Sequence, residues 1–155
     1  MILGVTGHQE LASGDAVREA LTTFVASSKP SLGLTSLAVG TDQLFADVCR
    51  DRGVPYRVVI PAEDYASSFV HPSDKSAFEV LLAAAREVTV LPYQASTDEA
   101  FLAAGRWIAE HSDVILAVWD GQPSHGVGGT ADIVAYAKSL GKELHIIPHQ
   151  RGHLG

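Results

Sequence analysis

The sequence DVILAVWDGQPSHGVGGTAD, which runs from Asp113 to Asp132, decides the fold. Its apolar part at 114–119 has the length of a strand and is almost unbroken, which is typical of a parallel strand buried on both faces. Turn-forming residues follow at 120–126, and glycines then lead into a helix-permissive segment at 131–140. A strand, a glycine-rich loop and the beginning of a helix therefore meet at one point.

Two interpretations of this junction stay open at the level of sequence. Glycines let the backbone approach a ligand closely, and the first N–H groups and the dipole of a helix favour a phosphate or a carboxylate. Alternatively, the glycines only make a tight connection between strand and helix. The functional interpretation predicts that Gly128, Gly129 and Thr130 contact a ligand.

Composition limits the class of protein. The chain has 155 residues, of which 46% are hydrophobic, and this suits one compact domain. A net charge of -7 and 11 scattered Lys and Arg residues argue against a duplex nucleic-acid partner. The single cysteine, Cys49, excludes an intrachain disulfide. Since no apolar run has the length of a signal peptide core or a membrane span, we expect a cytoplasmic protein with no membrane partner.

Strand and helix patterns alternate along the chain. Strands are predicted at 2–5, 34–39, 55–60, 87–91, 113–119 and 143–147. This alternation indicates a single α/β domain with a Rossmann-like, doubly wound and mainly parallel sheet of about six strands, covered by helices on both faces. The domain is predicted to span residues 1–148, and residues 149–155 are predicted to form a flexible C-terminal tail.

Polar and glycine residues concentrate where the predicted strands end, which is the edge where such sheets bind ligands. The predicted ligand-binding residues are Gly7, His8, Gly40, Thr41, Asp42, Asp120, Gly128, Gly129 and Thr130. Two of them have an equally simple structural interpretation, since Asp42 can cap a helix and Asp120 can form a turn. The sequence TGHQEL does not satisfy GxGxxG, and GxxxxGK[ST] is absent, so neither an NAD fingerprint nor a P-loop is predicted. No metal and no cofactor are predicted.

Three stretches carry a resemblance to a known family. They are GVTGHQEL at 4–11, AVGTDQLFADVCRDRGVPYRVVIP at 38–61 and GRWIAEHSDVILAVWDGQPSHGVGGTADIVAYAKSLGKELHII at 105–147. Their order and spacing resemble the YpsA/DprA/LOG-like (SLOG) superfamily of Rossmann-like nucleotide-binding proteins. The resemblance implies a doubly wound parallel sheet that binds a nucleotide or a nucleotide-derived ligand at its glycine-rich loops.

Some members of that superfamily are phosphoribohydrolases, which release a base from a nucleoside monophosphate. Their Gly-Thr pair is followed two residues later by Glu, whereas Ile133 stands at that position here and Asp132 precedes it. Their catalytic Arg lies on the helix before the strand, where Arg106 is the nearest candidate, although it is offset. The resemblance thus makes Asp132 and Arg106 the candidate catalytic residues, while Asp132 is equally explained as an acid favoured by a helix dipole.

Three functions follow from this sequence. The first is binding of a small nucleotide-type ligand at the C-terminal strand ends. The alternative is a nucleoside 5′-monophosphate N-glycosidase, so enzymatic activity is left undecided. The second alternative is a non-catalytic homo-oligomeric scaffold, in which the glycines are structural. The predicted partners are a small nucleotide-type ligand and further copies of the chain.

Overall fold

The protein is described by a computed structural model over residues 1–124 and 129–152. Six strands and five helices alternate, with a 3-10 helix at Tyr65–Ser68 between the third strand and the third helix. The strands are β1 Ile2–Gly7, β2 Leu32–Thr35, β3 Tyr56–Ile60, β4 Glu87–Val90, β5 Val114–Trp119 and β6 Glu143–Pro148. The helices are α1 Gly14–Ser28, α2 Thr41–Asp51, α3 Pro72–Ala83, α4 Asp98–His111 and α5 Thr130–Ser139.

The sheet is parallel throughout, and its strand order is β4-β3-β2-β1-β5-β6. The chain builds outward from β1 to β4 and then returns to the other side of β1 with β5. Strand order therefore reverses between β1 and β5, and the C-terminal ends of these two strands flank the position where doubly wound sheets bind ligands. The predicted fold class is confirmed.

Helices cover both faces of the sheet, as the alternating pattern predicts. One face carries α1, α2 and α3, whose buried side chains include Leu21, Phe45 and Phe78. The other face carries α4 and α5, which bury Ile108 and Ala137 among others. Strand β5 is buried along five of its six residues because it lies inside the sheet and is covered on both sides. No described helix is long and apolar enough to cross a membrane.

The second strand is shorter than the sequence predicts, because the chain leaves the sheet after Thr35. Leu37 has a left-handed backbone with φ 57°, which ends the extended conformation, and its N–H donates to Thr35 Oγ1 at 3.1 Å. The helix that follows has Gly40 at its N-cap, with no side-chain cap. The capping interpretation of Asp42 is therefore wrong, since this residue lies inside the helix.

Two local features are set by side-chain contacts. The cap of α4 is Thr97, whose Oγ1 accepts the N–H of Ala100 at 3.3 Å, and not the neighbouring Ser96. The long connection after β3 is packed onto the domain by its 3-10 helix. Tyr65 is buried there and makes edge contacts with the rings of Phe69 and Phe78.

Candidate functional site

The reversal of strand order brings together His8, which follows β1, and Asp120, which follows β5. The N–H of Asp120 donates to Nε2 of His8 over 2.9 Å, and Asp120 Oδ1 lies 3.3 Å from the same nitrogen. Both side chains are buried, with 5% and 9% of their surfaces exposed. Two predicted site residues that are 112 positions apart therefore form one polar pair at the ligand-binding edge.

Electrostatics fixes the charge state of this pair. Burial lowers the pKa of His8, an effect that the negative charge of Asp120 only partly opposes. The backbone N–H of Gln122, which donates to Asp120 Oδ1 at 2.9 Å, is the main reason that the pKa of Asp120 is lowered. We call the space between the C-terminal ends of β1 and β5, where His8 and Asp120 meet, the crevice. At neutral pH it therefore contains a neutral imidazole that accepts at Nε2, and an ionised carboxylate.

Packing within the protein explains the residue types of Gly7 and Thr41. A Cβ on Gly7 would lie 2.5 Å from the Oγ1 and Cγ2 atoms of Thr41. Thr41 itself is fully buried, and its Oγ1 donates to the carbonyl oxygen of His8 at 2.9 Å. This packing joins the beginning of α2 to the end of β1, so both residues shape the crevice. Their predicted contact with a ligand stays a prediction.

Gly40 and Asp42 hold the neighbouring loop in place. Gly40 has φ 83°, and a Cβ there would lie 2.4 Å from the carbonyl oxygen of Gln9. The carboxylate of Asp42 is buried and accepts the N–H of Ala38 at 3.2 Å. Burial raises the pKa of Asp42 to about 7 against the effect of its hydrogen bonds. Asp42 therefore braces the turn between β2 and α2.

The strand–loop–helix stretch from Asp113 to Asp132 ends in α5. Gly129 is the N-cap of this helix and Thr130 is its buried first residue. Asp132 lies in the first turn, where its backbone N–H donates to Ser124 Oγ at 3.3 Å. Predicted site residue Gly128 lies outside the described residues. The helix thus begins at the same edge as His8 and Asp120, as the sequence predicts.

Arg106, the second candidate catalytic residue, lies elsewhere. Its guanidinium carbon is 5.0 Å from the centroid of the Tyr136 ring, on the surface shared by α4 and α5. This cation–π contact gives the side chain a structural role on the outside of the helical layer. No described contact joins Arg106 to the His8–Asp120 pair, and Tyr136 lies one helical turn after Asp132 on α5.

The C-terminal segment supplies a site residue that sequence reasoning missed. We call residues 149–152 the C-terminal strap, because they cross from β6 to the loop after β1. The N–H of His149 donates to the carbonyl oxygen of Trp119, and the N–H of Gly152 donates to that of Glu10 at 2.9 Å. The crossing places Arg151 Nε 3.2 Å from Asp120 Oδ2. The sequence predicts a tail without contacts here, because a short irregular segment has no periodic pattern.

A cavity of about 560 Å³ adjoins the crevice, which is a volume typical of small-molecule sites. Its lining is mostly apolar, with Trp119, Ile146 and Pro148 among the contributing residues. Asp120 and His149 add polar groups to it. The indole of Trp119 is fixed by a hydrogen bond of 2.9 Å from Nε1 to the carbonyl oxygen of Gln122. Asp120 therefore borders both the cavity and the crevice.

Solved structures with the same arrangement include two DNA processing proteins. DprA from Streptococcus pneumoniae matches with a TM-score of 0.70 at 16% identity, over 96% of this chain and 50% of that one. DprA from Helicobacter pylori matches with a TM-score of 0.68 at 14% identity, over 97% of this chain and 66% of that one. The chain therefore spans about half and about two thirds of these proteins.

The chain has the Rossmann-like fold of these proteins. The molybdenum cofactor carrier protein from Chlamydomonas reinhardtii shares this fold too, with a TM-score of 0.62 at 19% identity over 96% of this chain and 77% of that one. No protein-family model matches the sequence. No curated protein matches it either.

The predicted set of partners is corrected by these comparisons. A single-stranded DNA binding mode is described for the Helicobacter pylori DprA, which has the same fold. A small ligand and further copies of the chain are therefore too narrow a set of partners for this fold. Net charge is a weak guide to single-stranded partners, because a strand can be bound by a few local contacts that the total of -7 does not reveal.

Proposed function

We propose that this protein binds a nucleotide or a nucleotide-derived small ligand at the C-terminal ends of β1 and β5. The observation that carries the proposal is the cavity of about 560 Å³ at the C-terminal ends of β5 and β6, which Asp120 lines and connects to His8 after β1. Parallel sheets bind ligands at this position because adjacent loops separate there and leave a crevice. The beginning of α5 at the same edge adds a positive dipole end.

The lining of the cavity favours a ligand with both a planar ring and a polar part. Trp119, Ile146 and Pro148 offer apolar surface, against which an aromatic ring stacks favourably. Asp120 is the ionised acceptor at the edge of the cavity, and a ribose hydroxyl is a suitable donor to it. A nucleotide combines these groups in one molecule.

The alternative of N-glycosidase activity receives no support from the described geometry. Of its two candidate residues, Arg106 is exposed and contacts the Tyr136 ring, and no described contact joins it to the His8–Asp120 pair. Ligand binding is therefore the function that the site supports best.

The test is a binding screen that uses the two tryptophans as reporters. In a Trp107→Phe variant, Trp119 is the sole tryptophan and borders the cavity. Nucleoside 5′-monophosphates, ADP-ribose and the parent nucleosides are titrated against its fluorescence and against thermal stability. A ligand at 100 times its Kd should add about 2.7 kcal/mol to the free energy of unfolding and change the emission of Trp119.

The matched control is the Trp119→Phe variant, in which Trp107 reports instead. Trp107 stacks on His111 at a ring separation of 3.8 Å, away from the crevice, so its emission should not respond. A single-stranded oligonucleotide and free base are measured in parallel. Stabilisation by the oligonucleotide alone would assign the crevice to nucleic acid, and no response to any small molecule would refute the proposal.

A further inference from the structure

Arg151 is held firmly in position by the backbone of the C-terminal strap. It forms an antiparallel bridge with Leu11, while the N–H of Ala12 donates to the carbonyl oxygen of Gln150 at 3.3 Å. His149 Nε2 accepts the N–H of Ser13 at 3.1 Å. A Cβ on Gly152 would lie 2.9 Å from the carbonyl oxygen of Leu11, so the strap packs closely on its partner loop. The arginine backbone is therefore fixed on both sides.

The guanidinium of Arg151 is incompletely hydrogen-bonded. It donates from Nη2 to the carbonyl oxygen of Pro123 at 3.2 Å, which uses one of its five N–H donors. Nε is buried and has no hydrogen-bond partner among the described residues, because its N–H is not aligned with the oxygen of Asp120 that lies 3.2 Å away. The other N–H groups of the partly exposed guanidinium have no described acceptor apart from Pro123, so they are available to a further acceptor.

The charges around the guanidinium suit an anion. Arg151 is a permanent cation, and its side chain remains 22% exposed. Asp120, which forms an ion pair with Arg151, also accepts the N–H of Gln122 and lines the adjoining cavity. The guanidinium therefore lies beside Asp120, one of the residues that line that cavity.

We propose that Arg151 is the phosphate anchor of this site, reaching an anionic group of the bound ligand from the C-terminal strap. The inference rests on the proposed function and names the part of the ligand that the strap recognises. Among cations, arginine binds phosphate with particular specificity because its planar fork forms two parallel hydrogen bonds. The strap thus contributes directly to ligand selection.

The test compares binding of AMP with binding of adenosine and of inorganic phosphate, in wild type, Arg151→Met and Arg151→Lys. A charge-assisted hydrogen bond corresponds to roughly a 10- to 100-fold change in affinity. We expect Arg151→Met to weaken AMP binding by that factor and to leave adenosine binding unchanged. Arg151→Lys should recover part of the loss, since it keeps the charge without the fork.

Arg52→Met is the matched control. It removes the same charge from the exposed C-cap of α2, at the opposite end of that helix from the crevice. This variant should bind AMP as wild type does. Circular dichroism of all variants verifies that the fold is kept.

The outcomes separate the two proposals. If neither AMP nor adenosine binds wild type, the proposed function and the anchor fail together. If AMP binds wild type and Arg151→Met equally, or if both AMP and adenosine weaken together, the anchor alone is refuted. Tighter binding by Arg151→Met would also refute it, because the strap would then be an obstacle to the ligand.

Discussion

Gly40 meets two constraints at one residue, a left-handed backbone and a close approach to the loop after β1. Its φ is 83°, and a Cβ would lie 2.4 Å from the backbone oxygen of Gln9. We expect Gly40→Ala to lower the free energy of unfolding by about 2–4 kcal/mol, since strain and a backbone clash add together. Urea denaturation measures the change.

Gly53 provides the comparison, because it also has a positive φ but lacks the close contact. Its φ is 70° and no atom lies within 4 Å of a Cβ placed there. Gly53→Ala should therefore cost only about 1 kcal/mol. Equal losses in the two variants would show that the approach of Gly40 to Gln9 relaxes without cost.

His8 links the crevice to pH. Its folded pKa is lowered mainly by burial, so the unfolded chain binds a proton more readily. Its contribution to stability is therefore fully present above the unfolded pKa of about 6.5 and is lost as the pH falls below that value. We expect the stability difference between wild type and His8→Gln to decrease between pH 7 and pH 5, as followed by urea denaturation.

His71→Gln controls for the loss of a histidine as such, because His71 is exposed before α3. This variant should keep the wild-type dependence on pH. A His8→Gln variant with the wild-type pH dependence would contradict the assignment of the effect to the crevice.

At the scale of elements, α4 allows the capping assignment to be tested. Thr97 Oγ1 accepts the N–H of Ala100, whereas Ser96 Oγ donates to the carboxylate of Asp64 at an exposed position. Thr97→Ala should lower the free energy of unfolding by about 1 kcal/mol, and Ser96→Ala should change it by less than about 0.5 kcal/mol. The reverse order in thermal denaturation would restore Ser96 as the cap.

The elements themselves are largely predictable from sequence. Apolar runs and helical periodicity locate all six strands, and the signal is most continuous for β5, which is buried on both faces. The boundaries are less accessible. The early end of β2 depends on the left-handed backbone of Leu37, and a leucine does not predict such a conformation.

The crevice is predictable only in part. His8 and Asp120 stand next to recognisable strands, so their meeting follows from parallel topology. Arg151 follows from no local pattern, because its position depends on backbone pairing with Leu11, which is 140 residues away in sequence. Arg106 was assigned by analogy with a helix position, and the stacking on Tyr136 that directs it outward involves a second helix.

At the scale of the whole molecule, Asp42 opposes His8 in the response to pH. Burial raises the folded pKa of Asp42 to about 7 from 3.8, so its contribution to stability is present at low pH and is lost as the pH rises through about 7. Three units correspond to at most about 4 kcal/mol. We expect wild type to lose stability relative to Asp42→Asn between pH 4 and pH 8, as measured by urea denaturation.

Asp98→Asn is the suitable control, since Asp98 also lies in the first turn of a helix but is exposed. The difference in free energy of unfolding between wild type and Asp98→Asn should not show this change between pH 4 and pH 8. A flat difference for Asp42→Asn over the same range would mean that the buried carboxylate stays ionised down to acid pH.

The strap has a consequence for the order in which the molecule folds. The crevice combines His8, Asp120 and Arg151, so it exists only after the first and last parts of the sequence have met. Contacts that close so long a loop form late, after the sheet that supports them. A few backbone hydrogen bonds hold the strap, so the same contacts open first when the native state fluctuates. We therefore expect the contacts of Arg151 to form after the sheet has formed.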